Sequence, residues 1–533
     1  MGLSNRNRIE TRQLLQSQTF DLLIIGGGLT GASIALDAAT RGISTALLEM
    51  NDFGSGTSAR LCMLTSEQEN DDYKTWKQLE IEKAVIAENF STLYRPIDGL
   101  HVKYKGDLDI KDFNIVKKGF LFPFKRRHGN NPSQLLRRKE VLQLETQLTP
   151  AKLEGGLLYK NGLIDRSTMT VELIKKADQL GAKMMNYSKV THFIFDENDS
   201  ITGVEVEDQI TGDLSFIYAR QMINATGQPI DQIKGVKQSF QKVTPLQNVN
   251  KQSQILINHP PLTKHVLSFN DNDSEAFLTV IPLGSQFLIT ATEEVKQPID
   301  FEQTLKVEKL EQFLRAYNRI IPGQDLTVEQ ISDVKVAYER KYQYKDDLTD
   351  LVLFSKSGLI TVLGTSITSY RLYASEIVDV VAKGLKKELN ILYSESDTKI
   401  ISINKAPKKL MEDLYQSSET MLISDQKLAE IIVSYGDQAA DVLSYVNQSD
   451  PYIKRYQIDR LLCVELLYCI ENAAIYTPLD FFIRRSRLTY DRTDLINQSS
   501  GILNLLADQL AWTEEERSYF ERELRIWLHD LNR

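Results

Sequence analysis

Three glycines and one carboxylate carry the first recognisable chemistry in this chain. Gly26-Gly27-Gly28-Leu29-Thr30-Gly31 fits G-x-G-x-x-G, and Glu49 stands 18 residues after Gly31. Gly26 permits a tight turn, Gly28 lets the backbone approach a pyrophosphate, and Gly31 lets a helix pack closely on a strand. The N-terminus of that helix presents N–H groups and the positive end of a dipole to phosphate. Glu49 can accept hydrogen bonds from both ribose hydroxyls and would repel a 2′-phosphate, which disfavours NADP. This is dinucleotide chemistry, and the glycine loop alone leaves NAD and FAD both open.

The elements that must position these residues are legible around them. Phe20 to Ile25 is an apolar run of the length of one buried parallel strand. Ile34, Ala35, Ala38 and Ala39 follow at helical spacing, Gly42 stops the helix, and Ser44 to Leu48 reads as a second strand ending at Glu49. A β-α-β unit of this form is the context that gives the glycine pattern its meaning.

The rest of the chain divides by pattern. Residues 76 to 95 read as a helix and 96 to 135 as an irregular stretch rich in Lys and Arg, taken as a solvated loop. A short helix is expected at 140–145 and an amphipathic one at 167–180, ended by Gly181. Residues 182–208 read as strands with a hairpin tip at Asp196 to Ser200, and a further strand runs into Asn224-Ala225-Thr226-Gly227. Residues 240–340 read as strands with one helix at 303–319, and 358–385 as strand, turn and helix. From about 405 the pattern is helical to the end, where Thr513 and Glu516 form a capping box. A linker is expected near 390–410.

Composition narrows the class. The chain has 533 residues, 42% hydrophobic and 25% charged, enough for two or three domains with a large core. A net charge of −9 and a pI near 5.5 argue against a nucleic-acid binder. Cys62, Cys463 and Cys469 form no C-x-x-C pair, which suits a reducing compartment and gives no zinc or dithiol signature. Neither a signal peptide nor 18 consecutive apolar residues is present, so the expected location is cytoplasmic, with peripheral contact at the inner membrane face left open.

Several separated motifs together resemble one family. They are "DLLIIGGGLTGASIALDAATRG", "LLEMNDFGSGTSAR", "INATG", "SGLITVLGTSITSYRLYASEIVD" and "ENAAIYTPLDFFIRRSRLTYDR". In that order they resemble the FAD-dependent glycerol-3-phosphate dehydrogenases and alpha-glycerophosphate oxidases, of which this chain looks like a divergent member. The last stretch matches a tail motif close to L-x-D-x-x-x-R-R-T-R-L, here Leu479, Asp480, Arg484, Arg485, Ser486, Arg487 and Leu488.

The resemblance implies an α/β fold with a Rossmann-like FAD-binding domain, an antiparallel-sheet substrate domain and a C-terminal all-helical domain. The first two are expected to interleave within 18–390. FAD-binding segments fall at about 18–75, 150–235 and 355–390, substrate-domain segments at about 76–149 and 236–354, and the helical domain at 405–533. The implied cofactor is FAD. The implied reaction is hydride transfer from glycerol 3-phosphate to flavin N5, giving dihydroxyacetone phosphate, with quinone or O2 as electron acceptor. Gly26, Gly28, Gly31 and Glu49 match the pyrophosphate and ribose positions. Thr57 and Ser58 match residues along the pyrophosphate, and Val190 falls where the backbone meets adenine. Asn224 to Gly227 match a second FAD turn, and Gly364 falls near the isoalloxazine.

The substrate end departs from the family pattern. After Gly56-Thr57-Ser58 that pattern runs roughly S-R-S-T-K-L-x-H-G-G-L-R-Y-L. Arg60 is kept, but Met63 replaces the lysine, Ser66 the histidine, Glu67 and Gln68 the glycines, and Asn70 the arginine. Ser366 replaces a second lysine, while Arg371 is kept; Arg340 is matched only through a short motif. Alcohol oxidation needs a base for the hydroxyl proton and cations for the developing alkoxide, and a phosphate ester needs Arg or Lys clamps. Arg371, Arg60 and Arg340 are therefore the candidates for substrate-anion contact, with a structural salt bridge or a flavin-phosphate contact as the other reading for Arg371 and Arg60. The acidic run Glu67, Glu69, Asp71, Asp72 reads as solvated surface. The expected function is an FAD-dependent oxidoreductase for a small phosphorylated polyol. Its alternatives are a catalytically impaired FAD-binding paralogue that serves as a partner-binding protein, and a flavin oxidoreductase with another substrate.

Overall fold

The computed structural model describes residues 2–56, 61–63, 73–107, 134–227, 249–295, 304–340, 352–362, 366–405, 423–488 and 492–530. Its first sheet is built on β1 (Thr19–Ile25), β2 (Thr45–Leu48), β7 (Lys183–Met185), β10 (Leu214–Asn224) and β17 (Leu359–Val362), with β8 (Ser188–Phe195), β9 (Ile201–Asp208) and β16 (Val352–Phe354) added. The strand order is β16-β17-β10-β1-β2-β7. β17, β10, β1, β2 and β7 run parallel, in register Thr361, Asn224, Ile25, Leu48, Met185 at their carboxyl ends. The order reverses at β1, and the crevice beyond such carboxyl ends is where open α/β sheets bind ligands.

Helix α2 (Leu29–Thr40) is apolar almost all round, with every residue from Leu29 to Ala38 buried. It packs between α5 (Arg166–Gln179) and α7 (Tyr370–Leu389), so none of its faces is left for solvent. Asp165 caps α5, its carboxylate accepting the Thr168 N–H at 2.7 Å, and Gly181 follows the helix with a φ of +101°. The β8–β9 hairpin turns at Asp196 to Ser200 as its sequence predicts.

The second sheet is built on β3 (Leu61–Met63), β4 (Arg95–Tyr104), β6 (Leu153–Asp165), β11 (Val249–Ile257), β12 (Val266–Asp271), β13 (Ala276–Pro282), β14 (Phe287–Glu294) and β15 (Ile331–Arg340), in the order β15-β11-β14-β13-β12-β4-β6-β3, with β5 (Gln134–Arg137) also on β6. Every neighbouring pair is antiparallel except β12 with β4. It therefore has the antiparallel character expected, with one parallel joint. Helix α6 (Val307–Ile320) covers it, burying Phe313, Leu314, Tyr317 and Ile320 against Leu100, Val102, Phe269 and Phe287.

Three boundaries differ from the sequence reading. Residues 96–104 belong to strand β4 (Arg95–Tyr104), paired along its length with β6 (Leu153–Asp165). The Lys, Asp and His in this stretch hide a strand whose Gly99 to Val102 are all buried. β3 (Leu61–Met63) and β6, placed by sequence in FAD-binding segments, join the second sheet, and β16 joins the first. The expected linker is no loose tether over 390–405, where Ile403 is buried and the Asn404 N–H donates to the Asn89 carbonyl at 2.9 Å. The basic stretch at 108–133 lies outside the described residues.

The C-terminal domain is helical in every described element. Its core brings together Leu428, Ile432, Tyr435, Leu462, Leu466, Leu506, Leu524 and Leu528. The capping box forms, with Thr513 Oγ1 and Glu516 Oε2 2.8 Å apart at the start of α13 (Glu514–Asp530). No helix among the described residues is long and apolar enough to cross a membrane.

Candidate functional site

The site starts where β1 ends. Gly26 has a φ of +111°, and a Cβ there would meet the Ala225 carbonyl at 2.7 Å. The Ala225 N–H in turn donates to the Ile25 carbonyl at 2.8 Å. The two turns that the sequence assigns to the cofactor, 26–31 and 224–227, therefore lie side by side. Asn224 braces the second by accepting from the Thr226 N–H at 3.2 Å and hydroxyl at 2.9 Å, and Gly227 leaves it with a φ of +69°. Gly28 caps α2 without a side chain, and a Cβ on Gly31 would lie 1.9 Å from the Gly26 carbonyl oxygen.

Glu49 leaves β2 toward the same point. Its carboxylate accepts the Gly27 N–H at 2.7 Å and the Asn51 N–H at 2.9 Å. Burial raises its pKa above the ordinary carboxylate value, against the pull of those two backbone donors. The acid is thus held at the lip of the glycine turn by backbone donors on both sides. Sequence reasoning missed Gly27, whose Cβ would meet the Phe53 ring at 2.7 Å and Glu49 Cβ at 2.8 Å. It also missed fully buried Phe53, which closes the turn from below. Gly27 stands at a free position of the glycine pattern, and Phe53 falls in "NDFGSG" after Glu49. The glycine turn fits FAD on chemistry and space together: no room for side chains, an acid at the ribose point and a helix N-terminus facing it.

The remaining predicted residues fare differently. Val190 lies in β8, buried among Leu48, Met185 and Val206, opposite Val206 across the hairpin and just before a register shift. Thr57, Ser58, Arg60 and Gly364 lie outside the described residues. Arg340 ends β15 (Ile331–Arg340) opposite Val249 on β11 (Val249–Ile257), and its side chain is outside the description. Arg371 forms a bidentate pair with buried Glu82 on α3 (Tyr73–Asn89): Nε to Oε2 2.8 Å, NH2 to Oε1 2.7 Å. Burial alone would lower its pKa, but Glu82 outweighs this and raises it. The fork of Arg371 is engaged structurally, so an anion would have to use its remaining nitrogen or displace Glu82. Ser366 Oγ sits 2.8 Å from Ser369 Oγ, ahead of α7.

Of the histidines, His192 faces Glu205 at 2.8 Å and His265 faces Glu145 at 2.7 Å. His101 is buried in β4, 3.1 Å from Ser268 Oγ and stacked on Phe277. Burial pushes its pKa down to about 4. Between that value and its ordinary 6.5 the unfolded chain binds a proton that the folded chain does not. Stability should therefore fall as pH drops from 6.5 toward 4, by up to about 3 kcal/mol. His101→Gln cannot titrate, and its melting temperature should drop less than that of the parent between pH 7 and pH 5. Equal drops would rule this source out.

The tail motif has a position that sequence did not show. Asp52, three residues after Glu49, is buried and held by two of the motif's three arginines, Arg484 and Arg485. Arg485 NH1 and NH2 donate to its two oxygens at 2.8 and 2.6 Å, and Arg484 Nε donates to Oδ2. Arg484 NH2 reaches Asp480 Oδ1 at 2.8 Å, and the Tyr187 hydroxyl donates to the same oxygen at 2.7 Å. Burial would raise the pKa of Asp52, but Arg485 and Arg484 more than offset it and hold it below the ordinary value. Arg487 pairs with Glu172 on α5, which Lys175 also approaches at 3.0 Å.

Residues 21–344 match the family described as FAD dependent oxidoreductase, and 400–517 match the C-terminal domain of alpha-glycerophosphate oxidase. The aerobic glycerol-3-phosphate dehydrogenase of Staphylococcus saprophyticus is 29% identical over 99% of this chain and 97% of its own. That of Staphylococcus aureus strain USA300 is 27% identical over 98% and 97%. The solved glycerol-3-phosphate dehydrogenase of Bacillus halodurans, complexed with FAD, superposes with a TM-score of 0.79 at 26% identity, covering 99% of this chain and 98% of that one. With the first match spanning more than half its length and the glycine turn, Glu49 and the second turn in place, the chain belongs to the FAD dependent oxidoreductase family, and FAD is its cofactor.

Proposed function

We propose that this flavoprotein oxidises a phosphorylated polyol of the glycerol 3-phosphate class and passes the electrons to quinone or O2. The observation that carries this reading is the end-to-end match: both the FAD-binding half and the helical tail align with a glycerol-3-phosphate dehydrogenase over 99% of the chain. FAD supplies the hydride acceptor. The chain's own residues hold the dinucleotide at 26–31, receive the ribose at Glu49 and brace the second turn through Asn224. Arg60, Arg340 and Arg371 are the cations proposed to meet the substrate phosphate, Arg371 through the nitrogen that Glu82 does not take.

One observation favours a second reading, an FAD-binding paralogue that does not turn over this substrate. Of the retained arginines, Arg371 gives two of its nitrogens to Glu82, and the positions of two family lysines and the family histidine carry Ser366, Met63 and Ser66. Anaerobic addition of glycerol 3-phosphate to the purified yellow protein separates the two. The first reading expects the flavin absorbance to bleach. A stable yellow colour would overturn it and leave the paralogue reading, while bleaching only by another donor would move the substrate class.

A further inference from the structure

The segment from Glu49 to Gly56 is held on three sides by hydrogen bonds within the FAD-binding half. The Glu49 N–H donates to the Met185 carbonyl at 3.0 Å, the Ser188 N–H to the Glu49 carbonyl at 2.7 Å, and the Tyr187 N–H to the Asn51 carbonyl at 2.9 Å. The Gly54 N–H donates to the Gly27 carbonyl at 3.1 Å, which ties the segment to the glycine turn itself. The fourth side is Asp52, and its two arginine partners come from another domain, 432 and 433 residues along the chain.

That contact is complete in itself. Asp52 Oδ1 accepts from Arg485 NH2 at 2.6 Å and Asn186 Nδ2 at 3.1 Å, and Oδ2 accepts from Arg485 NH1 and Arg484 Nε. Arg485 Nε donates to the Ala473 carbonyl at 2.8 Å, so the guanidinium is anchored in the tail before it reaches across. Asp480 anchors Arg484 and is itself fixed by the N–H groups of Tyr476 and Thr477, both at 2.9 Å. Two acids and two arginines balance in charge within a buried cluster. Opening the segment would strand Asp52 or its arginines without partners away from water, which is costly.

We propose that Arg484 and Arg485 are positioning residues for FAD: through Asp52 they hold the 49–56 segment, and with it Glu49, against the glycine turn, so that the helical domain sets the rate at which FAD is released. The segment must loosen for the ribose to leave, because Glu49 and Gly27 are joined across the lip of the cradle. Loops that admit ligands open at a free energy set by their local contacts, and here the strongest contact belongs to the tail. By linkage, bound FAD should tighten the docking of the helical domain in return. The inference rests on FAD binding alone and is independent of which donor reduces the flavin.

The test is FAD release from the full-length holoprotein, followed as recovery of free flavin fluorescence after dilution. Asp52→Asn and Arg484→Gln should each speed release about tenfold or more. The control is Arg487→Gln, which breaks another buried pair across the same domain seam, with Glu172 on α5, but does not touch the 49–56 segment. It should lower the melting temperature while leaving the release rate within about threefold of the parent. Should Asp52→Asn fail to fold, Arg484→Gln decides, since it leaves the bidentate Arg485 pair in place. Unchanged release in folded Arg484→Gln, or equal acceleration by Arg487→Gln, would overturn the proposal.

Discussion

Gly31→Ala should yield a protein that purifies without visible flavin absorbance and is less stable by at least about 3 kcal/mol. The added Cβ would lie 1.9 Å from the Gly26 carbonyl oxygen and 3.1 Å from its carbon. Neither atom can retreat. Gly26 is wedged against Ala225 on its other side, and α2 is pinned between α5 and α7. The helix must therefore slide away from β1, and its N-terminus moves away from where it meets the pyrophosphate. Gly227→Ala is the comparison, because a Cβ there would meet no atom of the described residues within 4 Å and, among them, only its φ of +69° opposes a side chain. It should cost about 1–2 kcal/mol and leave the protein yellow. A yellow Gly31→Ala protein of parental stability would show that the two turns do not pack as described. Denaturant titration with flavin absorbance as a second readout measures both effects.

Arg371→Ala should be the most damaging change on the substrate side, by about 3–5 kcal/mol, and chiefly through folding. It would leave Glu82, 1% exposed in its side chain, without the guanidinium that accepts its charge. Among the described residues, only the Gln78 amide, at 3.2 Å, would remain to it. The double variant Arg371→Gln with Glu82→Gln removes both charges together and should recover at least about 1 kcal/mol relative to Arg371→Ala. The same double variant tests substrate contact. If Arg371 also reaches the substrate phosphate, KM for glycerol 3-phosphate rises in a protein whose stability has been restored. If KM stays unchanged, the arginine serves the fold. A double variant no more stable than Arg371→Ala would contradict the pairing with Glu82.

These two cases mark where sequence was sufficient and where it was not. The glycine turn was legible because its rules are local: a strand, a fixed spacing and an acid at the end of the next strand. The hairpin at Asp196 to Ser200 and the helix stopped by Gly181 were legible for the same reason. For Arg371 the sequence offered a structural salt bridge only as the alternative to substrate contact and could not name the partner, which lies 289 residues earlier. Likewise Glu172, held at about 2 by Arg487 and Lys175 despite its burial, sits in a helix that reads as simply amphipathic. Strand β4 was missed because its polar residues mask it, and because it and its partner β6 carry glycines that make space for rings. Gly99 faces Tyr159, and Gly162 on β6 faces Tyr94, so size complementarity rather than alternation builds that pairing. The tail motif was recognised as a family mark, yet its residues gave no sign that they face the ribose segment.

The buried Asp52 has a further consequence for how the protein comes into being. A ribosome makes this aspartate early and its arginines 432 residues later. At about 5–20 residues per second the wait is roughly 20–90 s, during which the β-α-β unit and Glu49 already exist but Asp52 has no counter-charge. The carboxylate must stay hydrated for that time, because an unpaired charge resists entering a dry interior. The order of synthesis thus leaves Asp52 without its two arginines until residues 484 and 485 have been made, and the 49–56 segment cannot gain its inter-domain contact before then.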